Sequence, residues 1–334
     1  MTAPPAPSTP ANQPIVCTTR PLPGDFAVPG AVVRTGPERG FASRQELLAF
    51  VSTGGGAHAI ASWVTERIDA ELLDAAGPQL KIVANFAVGY DNIDVPACRA
   101  RNVIVTNTPD AVTEGTADMA WALLLAAARR VTEGDRFARS GAWASHGSLG
   151  PVEFLGVPVA GQTLCIIGAG RIGYATALRS LGWGMRITYV ARSRHANFEH
   201  APLNARHVSL EDGLRTADFV SIHTPLTPQT KHLIGAKELA LMKPTAVLVN
   251  TSRGPVINET ALADALKERK IFSAGLDVFE HEPRVTDRLK QLDNIVMTPH
   301  IGSGDTRCRN QMAALCAANI RAVLAGKEPL TPVA

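Results

Sequence analysis

The sequence has little of what a membrane protein or a nucleic-acid-binding protein needs. Its longest apolar stretch, WALLLAAA at residues 121–128, is too short to cross a bilayer and is followed by two arginines. The net charge is only +3, and the basic residues are spread along the chain. We therefore expect neither a membrane nor a nucleic acid as a partner.

The N-terminal segment lacks the features of a secretion signal. Residues 1–14, MTAPPAPSTPANQP, have no basic start and no apolar core. Their density of proline predicts a disordered tail.

Cysteine is scarce, and its pattern excludes a disulfide framework. The five cysteines are odd in number and contain no C-x-x-C pair. Cys17 and Cys165 lie within apolar, strand-like runs. This predicts buried free thiols in a reducing cytoplasm, and no metal site.

Short β-branched runs alternate with helical patterns from residue 15 onwards. The first series predicts strands at 15–18, 31–34, 58–62, 81–86 and 102–107, with helices at 43–52, 69–76 and 95–102. The second predicts strands at 163–167, 186–190, 218–223, 246–250, 273–278 and 294–298, with helical segments such as 261–270. Such alternation predicts two doubly wound parallel α/β domains, and 334 residues with 46% hydrophobic content suffice for both.

Two long helical patterns stand outside these series. One spans about 113–140, with Thr113 as its N-cap and Gly141 just past its end. The other spans about 305–326 and has no strand of its own, so we expect it to return to the first domain. The predicted domains are 15–109 plus 301–334, for substrate, and 110–300, for a dinucleotide, with a cleft where the long helices cross.

A glycine-rich loop carries the first functional signal. GAGRIG places Gly168, Gly170 and Gly173 in a G-x-G-x-x-G pattern directly after a predicted strand, and it opens a helix. The glycines would permit a tight turn, close approach to a pyrophosphate, and helix–strand packing. This context predicts dinucleotide binding.

The end of the next strand lacks the acid that usually binds the adenosine ribose. The segment YVARSR has Ala191 there, followed by Arg192, Ser193 and Arg194. Two arginines can bind a 2′-phosphate, which a carboxylate would repel. The segment favours NADP(H) over NAD(H), and the alternative is that both arginines are solvated loop residues.

Several motifs, in order, resemble the D-isomer-specific 2-hydroxyacid dehydrogenases, in particular their glyoxylate/hydroxypyruvate reductase branch. They are VGYDNID (88–94), GAGRIG (168–173), HTPLTPQT (223–230), LVNTSRGPVI (248–257), GLDVFEHEP (275–283) and TPHIGS (298–303). The resemblance runs from about residue 64 to 325. It implies a flavodoxin-like substrate domain, a Rossmann domain, a homodimer, and reduction of small 2-keto acids such as glyoxylate and hydroxypyruvate. The preference for NADPH in this reduction is predicted from Arg192 and Arg194.

The resemblance also implies a catalytic set, and the residue types suit the chemistry. Reduction of a 2-keto acid needs a cation for the carboxylate and a proton donor for the developing alkoxide. By similarity, Arg253 binds the carboxylate and His300 is the general acid. Glu282 would pair with His300 and stabilise its imidazolium; Glu280 is the competing candidate, but the family places the acid directly before proline.

Further site residues follow from the same resemblance. Val88 and Gly89 would present backbone N–H groups to the substrate, and Asp277 would hold the nicotinamide carboxamide. The remaining predicted cofactor-binding residues are Thr113, Arg171, Ile172, His223, Thr224, Pro225, Thr230, Thr251 and Gly302.

One departure from the branch concerns the substrate. Many members carry a second Trp three residues after a first, whereas this chain has Trp143 and then His146. His146 could hydrogen-bond a substrate hydroxyl or simply be solvated.

Other activities use the same motifs. A 2-ketogluconate or aryl-pyruvate reductase would differ near Ser62 and Trp63. A dinucleotide-sensing corepressor would retain the catalytic set without turnover. A phosphoglycerate dehydrogenase is less favoured, because a C-terminal regulatory domain and the ribose acid are missing.

Overall fold

The computed structural model describes residues 13–24 and 26–333. Residues 1–12 of the predicted disordered tail lie outside the described residues. The chain forms two units, one of Met1–Val112 with Asp305–Ala334 and one of Thr113–Gly304. The boundaries predicted at residues 109 and 300, and the substrate and dinucleotide roles of the two domains, stay proposals.

The first unit is built on a five-stranded parallel sheet. Its elements are β1 (Ile15–Thr18), β2 (Val32–Thr35), α1 (Arg44–Ser52), β3 (Ala59–Ser62), α2 (Ala70–Ala76), β4 (Ile82–Asn85), α3 (Val95–Arg99) and β5 (Ile104–Thr106). The order β2-β1-β3-β4-β5 is that of a flavodoxin-like sheet. β3 and β4 are buried throughout, as expected for parallel strands covered on both faces.

The second unit is built on a seven-stranded parallel sheet. Its elements are α4 (Thr113–Ala128), α5 (Val131–Arg139), α6 (Ala142–His146), β6 (Thr163–Ile167), α7 (Arg171–Arg179), β7 (Arg186–Val190), α8 (Ala196–Glu199), β8 (Arg206–His207), α9 (Leu210–Thr216), β9 (Phe219–Ile222), α10 (Ala236–Leu239), β10 (Val247–Asn250), α11 (Glu259–Lys267), β11 (Ser273–Leu276), α12 (Asp287–Lys290) and β12 (Ile295–Met297). The order β12-β11-β10-β9-β6-β7-β8 is that of a Rossmann sheet with one extra strand. The predicted fold class, two doubly wound parallel α/β units, is confirmed.

The second sheet separates two apolar layers. Leu164 and Ile166 of β6 pack into one layer with α4, whereas Cys165 and Ile167 pack into the other with α9 and α11. This alternation along one strand is the sequence-level cause of a sheet covered by helices on both faces.

The last helix, α13 (Thr306–Leu324), belongs to the first unit. Asp305 caps it by accepting the Cys308 N–H at 2.8 Å. The Cys316 thiol reaches the Asn85 carbonyl, at the end of β4. All five cysteines are buried and free, as predicted.

The prediction of a single helix over residues 113–140 is wrong, because the structure has two helices there. The first helix, α4, ends at Ala128 and α5 begins at Val131, because Arg130 adopts the left-handed conformation at φ 53°. The Ala128 carbonyl accepts the Val157 N–H at 2.9 Å, and the Ala127 carbonyl accepts the Ser273 hydroxyl. Distant residues therefore satisfy the end of α4, which the local sequence does not reveal. The two-residue strand β8 was not predicted either.

No helix within the described ranges is both long and apolar enough to cross a membrane.

Candidate active site

The strands of the second sheet end in line with one another. In the strand pairing, Ile167 is level with Ile222, which is level with Asn250, then Leu276 and Met297. The residues that follow therefore share one edge: Gly168, His223, Thr251, Asp277 and Thr298. In doubly wound sheets this carboxyl edge is where ligands bind.

The glycine loop follows β6 and is shaped by close backbone contacts. Gly168 has φ 106°, and a Cβ there would stand 2.7 Å from the His223 carbonyl carbon. A Cβ on Gly173 would stand 2.2 Å from the Gly168 carbonyl oxygen, whereas one on Gly170 would meet no atom within 4 Å. Two glycines thus permit packing, while Gly170 leaves its backbone open, as close approach of a pyrophosphate requires.

Three buried polar atoms along the same sheet edge lack a hydrogen-bond partner among the described residues. They are His223 Nδ1, Thr224 Oγ1 and Thr251 Oγ1. His223 Nε2 is 2.8 Å from the Ser221 hydroxyl, and burial lowers the pKa of His223 to about 3, so its ring is neutral. Buried polar atoms normally have a hydrogen-bond partner, so these three atoms, on the edge that carries the glycine loop, fit the binding of a dinucleotide.

The segment after β7, residues 192–194, is exposed and carries two positive charges. Arg194 Nε is 2.8 Å from Glu199 Oε1, and the Tyr189 hydroxyl donates to the same oxygen. The Arg194 hydrogen bond, followed by that of Tyr189, holds the pKa of Glu199 below its usual range. No ion pair joins Arg192 to any residue of the described chain. We call residues 192–194 the basic segment.

Arg253 stands in a turn that β10 shapes. The buried Asn250 side chain donates to the Arg253 carbonyl at 3.0 Å and accepts from the Ser252 N–H and hydroxyl. The Arg253 guanidinium donates to the Ser252 carbonyl at 2.9 Å. Asn250 was missed by sequence reasoning, although a polar residue ending the apolar run VLVN is a visible signal.

His300 and Glu282 form a close pair. His300 Nδ1 is 2.7 Å from Glu282 Oε2, and the side chains are 33% and 28% exposed. The other carboxylate oxygen accepts the Phe279 N–H at 2.9 Å. Burial acts to raise the pKa of Glu282, but the bond and charge of His300, the Phe279 N–H and the charge of Arg253 together lower it. Glu282 is thus ionised beside the imidazole.

Asp277 holds the turn from which His300 projects. Its carboxylate accepts from the Thr298 hydroxyl at 2.6 Å, the Ile301 N–H at 2.8 Å and the Gly302 N–H at 2.7 Å. His300 has φ 54°, an uncommon conformation for a side chain of this size. Burial raises the pKa of Asp277 despite these bonds. Sequence reasoning missed this anchoring, and the predicted contact with the nicotinamide stays a proposal.

Glu280, the competing candidate, lies elsewhere. Its carboxylate accepts the Glu259 N–H at the start of α11 and pairs with His232 at 3.0 Å. Between the two acids of EHEP, the structure brings Glu282 to His300.

The other predicted cofactor residues occupy several places in the second unit. Thr113 is the first residue of α4, and Arg171, Ile172 and Gly173 form the first turn of α7. Pro225 and Thr230 follow β9, with the Thr230 hydroxyl donating to the Pro225 carbonyl at 2.6 Å.

Val88 and Gly89 lie after β4 in the first unit. Asn107 donates to the Val88 carbonyl at 2.8 Å, and Asn85 donates to the Gly89 carbonyl at 2.7 Å. Neither amide N–H donates to another residue in the described part of the chain. Asn85 ends β4 as Asn250 ends β10, and it too was missed.

His146 pairs with an acid on the same segment. Its Nε2 is 2.6 Å from Glu153 Oε1, and both side chains are more than a third exposed. Among the described residues no cluster of three His, Cys, Asp or Glu side chains could hold a metal ion.

The chain is similar in sequence to known proteins. The model of the D-isomer specific 2-hydroxyacid dehydrogenase, NAD binding domain, matches residues 121–302. A glyoxylate reductase of Pyrococcus horikoshii is 51% identical over 276 residues, covering 82% of this chain and 82% of the relative.

Solved structures of related proteins are also similar to this chain. A protein of Thermus thermophilus is similar with a TM-score of 0.88 and 42% identity, over 96% of this chain and 100% of that chain. An NADPH-dependent glyoxylate/hydroxypyruvate reductase from Sinorhizobium meliloti, in complex with NADP and malonate, has a TM-score of 0.83 and 32% identity, over 97% of both chains. The sequence-based resemblance is confirmed: the chain belongs to the D-isomer specific 2-hydroxyacid dehydrogenase family.

Proposed function

We propose that this enzyme reduces small 2-keto acids, glyoxylate and hydroxypyruvate, to 2-hydroxy acids, with NADPH preferred over NADH. The observation that carries the proposal is the 2.7 Å pair of His300 and Glu282, at the sheet edge that also bears Arg253. Several similar relatives are glyoxylate reductases, which supports the substrate class.

The proton comes from His300. Nδ1 is directed at the Glu282 carboxylate, so Nε2 is the nitrogen that gives its proton to the keto oxygen as the alkoxide develops. Glu282 stabilises the imidazolium before the transfer. In the oxidative direction the same nitrogen takes the proton back.

Arg253 binds the substrate carboxylate and stabilises the charge that grows on the keto oxygen. The Val88 and Gly89 N–H groups stay predicted substrate contacts. NADPH, when bound, supplies the hydride that reaches the keto carbon.

The dinucleotide is held by this chain's own residues along the sheet edge. The glycine loop and the N–H groups of Arg171, Ile172 and Gly173 bind the pyrophosphate. His223, Thr224, Thr251 and Asp277 face the nicotinamide half, and Thr113, Pro225, Thr230 and Gly302 complete the site.

The basic segment sets the preference for NADPH. Arg192 and Arg194 bind the 2′-phosphate, with Ser193 as an added donor, and Ala191 places no anion against it. A structural relative bound to NADP supports this cofactor.

We further propose a cytoplasmic homodimer. Trp143, Leu149, Val152 and Leu155 lie on one segment and are 41–77% exposed, which a partner subunit would cover. Light scattering coupled to size exclusion measures the assembly, and a monomer at micromolar concentration contradicts it.

Steady-state kinetics test the function. NADPH and NADH are each compared on glyoxylate, hydroxypyruvate, 2-ketogluconate and phenylpyruvate. We expect the highest kcat/KM with NADPH on the first two substrates. A preference for either of the last two would replace the substrate assignment, and tight nucleotide binding without turnover would indicate a sensing role.

A further inference from the structure

Glu259 and Glu280 each accept a hydrogen bond from the other's backbone. The Glu259 N–H donates to Glu280 Oε1 at 3.0 Å, and the Glu280 N–H donates to Glu259 Oε1 at 2.6 Å. Glu259 is only 3% exposed, and its second oxygen accepts from the Thr286 hydroxyl. We call this reciprocal pair the carboxylate clasp. It joins the start of α11 to the loop that precedes Glu282 by charge-assisted bonds.

The clasp holds the peptide that directly follows the one bonded to Glu282. Phe279, which precedes Glu280, donates its N–H to Glu282 Oε1 at 2.9 Å, while Glu282 Oε2 meets His300. The Phe279–Glu280 peptide, whose N–H the clasp binds, also packs closely on Gly254, where a Cβ would stand 1.9 Å from the Phe279 carbonyl carbon. The Phe279–Glu280 peptide is therefore held both by the clasp and by its packing on Gly254.

Capping of α11 does not account for the clasp by itself. Asn258 already caps this helix, because its side chain accepts the Ala261 N–H at 2.9 Å. A buried carboxylate is costly unless its oxygens are satisfied. One carboxylate oxygen of Glu259 accepts the Glu280 N–H, in the loop that bears Glu282, and this bond does not cap the helix of Glu259 itself.

We propose that Glu259 and Glu280 are positioning residues that fix Glu282 against His300, an inference that rests on the proposed function. The titratable and charged groups around this loop are His300, Arg253 and Asp277 on the side of Glu282, and His232 and His281 beside the clasp.

The first test replaces Glu259. In Glu259→Ala we expect kcat to fall about tenfold, since small displacements of catalytic groups are costly. The KM values for glyoxylate and NADPH should stay within about twofold. The high-pH limb of the kcat profile should move to lower pH, because a displaced carboxylate no longer stabilises the imidazolium. Glu259→Gln retains an oxygen for the Glu280 N–H and an amide for Thr286, and should restore kcat and the profile.

A second substitution and a control variant distinguish a positioning role from a purely structural role in folding. Glu280→Ala removes the other half of the clasp and should move the profile in the same direction. Glu238→Ala is the matched control, because Glu238 also accepts a backbone N–H at a helix start, that of Gly235 at 3.0 Å. It should leave kcat and the pH profile unchanged whatever it does to Tm. If Glu259→Ala does not fold, Glu280→Ala and Thr286→Val provide the kinetic test.

The outcomes can be told apart by running His300→Ala and Glu282→Gln in parallel. If these two lose activity while both clasp variants lower only Tm, the positioning role is overturned and the proposed function stands. Equal losses in Glu259→Ala and Glu259→Gln would also overturn it. Wild-type turnover in His300→Ala would overturn the proposed function, and the clasp inference with it.

Discussion

The turn that carries His300 and the basic segment of residues 192–194 both follow strand ends of one sheet, but they are held differently. His300 pairs with Glu282, and its turn is fixed by three hydrogen bonds to the buried Asp277 carboxylate. The basic segment is exposed, and one of its two arginines is paired with Glu199. Groups that take part in proton transfer need fixed geometry, whereas an exposed arginine can bind a phosphate because its guanidinium is always charged and matches phosphate bidentately.

The largest effect should come from His300. His300→Ala removes the proton donor, so we expect kcat for glyoxylate reduction to fall about 10³-fold, within the usual range for general acids. NADPH binding, measured by nucleotide fluorescence, should be retained. His200→Ala, at an exposed histidine of the same unit, should behave as wild type. Wild-type-like turnover in His300→Ala would contradict the assignment.

Asp277 tests the anchoring of the turn. Asp277→Ala leaves the Thr298 hydroxyl and the Ile301 and Gly302 N–H groups without their acceptor, which should cost about 2–3 kcal/mol in the free energy of unfolding. Displacement of His300 should lower kcat about 10²-fold. Denaturant unfolding and kinetics on the same samples measure both effects.

Asp277→Asn sharpens this test. It retains the volume and one acceptor oxygen, but turns an amide N–H₂ towards donors that need an acceptor. We therefore expect it to lose stability as well. Unchanged stability in both variants would mean that the turn is held by other contacts.

The third effect concerns cofactor choice. Arg192→Ala should raise the KM for NADPH at least about tenfold, as expected for one charge-assisted bond to phosphate, and leave the KM for NADH nearly unchanged. Arg194→Ala should have a smaller effect, because Arg194 must give up part of its bond to Glu199 before it can serve the phosphate. Arg215→Ala, at a surface arginine paired with Glu211, is the control. Equal changes in the KM for NADPH and the KM for NADH would show that the two arginines do not bind the 2′-phosphate.

Much of the fold followed from local pattern. The alternation of β-branched runs and helices predicted both parallel sheets, because parallel strands need buried faces and helical crossovers. The glycine loop was predictable since its turn and packing require residues without side chains. Arg253, Glu282 and His300 were placed by family motifs, and their roles stay predictions.

The features that could not be predicted from the sequence depend on hydrogen bonds between residues that are far apart along the chain. The break at Arg130 follows the capping of α4 by Val157 and Ser273, far along the chain. The anchoring by Asp277 needs residues 298–302, and the pairing of Arg194 needs the packing of Glu199 beside Tyr189. Hydrogen bonds between segments leave no periodic signal.

The smallest effect should be the dependence of stability on the Glu282 charge. The pKa of Glu282 is lowered in the folded protein, so its ionisation stabilises the fold above the unfolded value of about 4.3. That contribution is lost as the pH falls through the folded pKa. Glu282→Gln cannot titrate, so wild type should be more stable than the variant at pH 7, and the difference should shrink as the pH falls below about 4. Urea unfolding at pH 7, 5 and 3.5 measures it, and a difference that does not change with pH would show that the carboxylate contributes by shape rather than by charge.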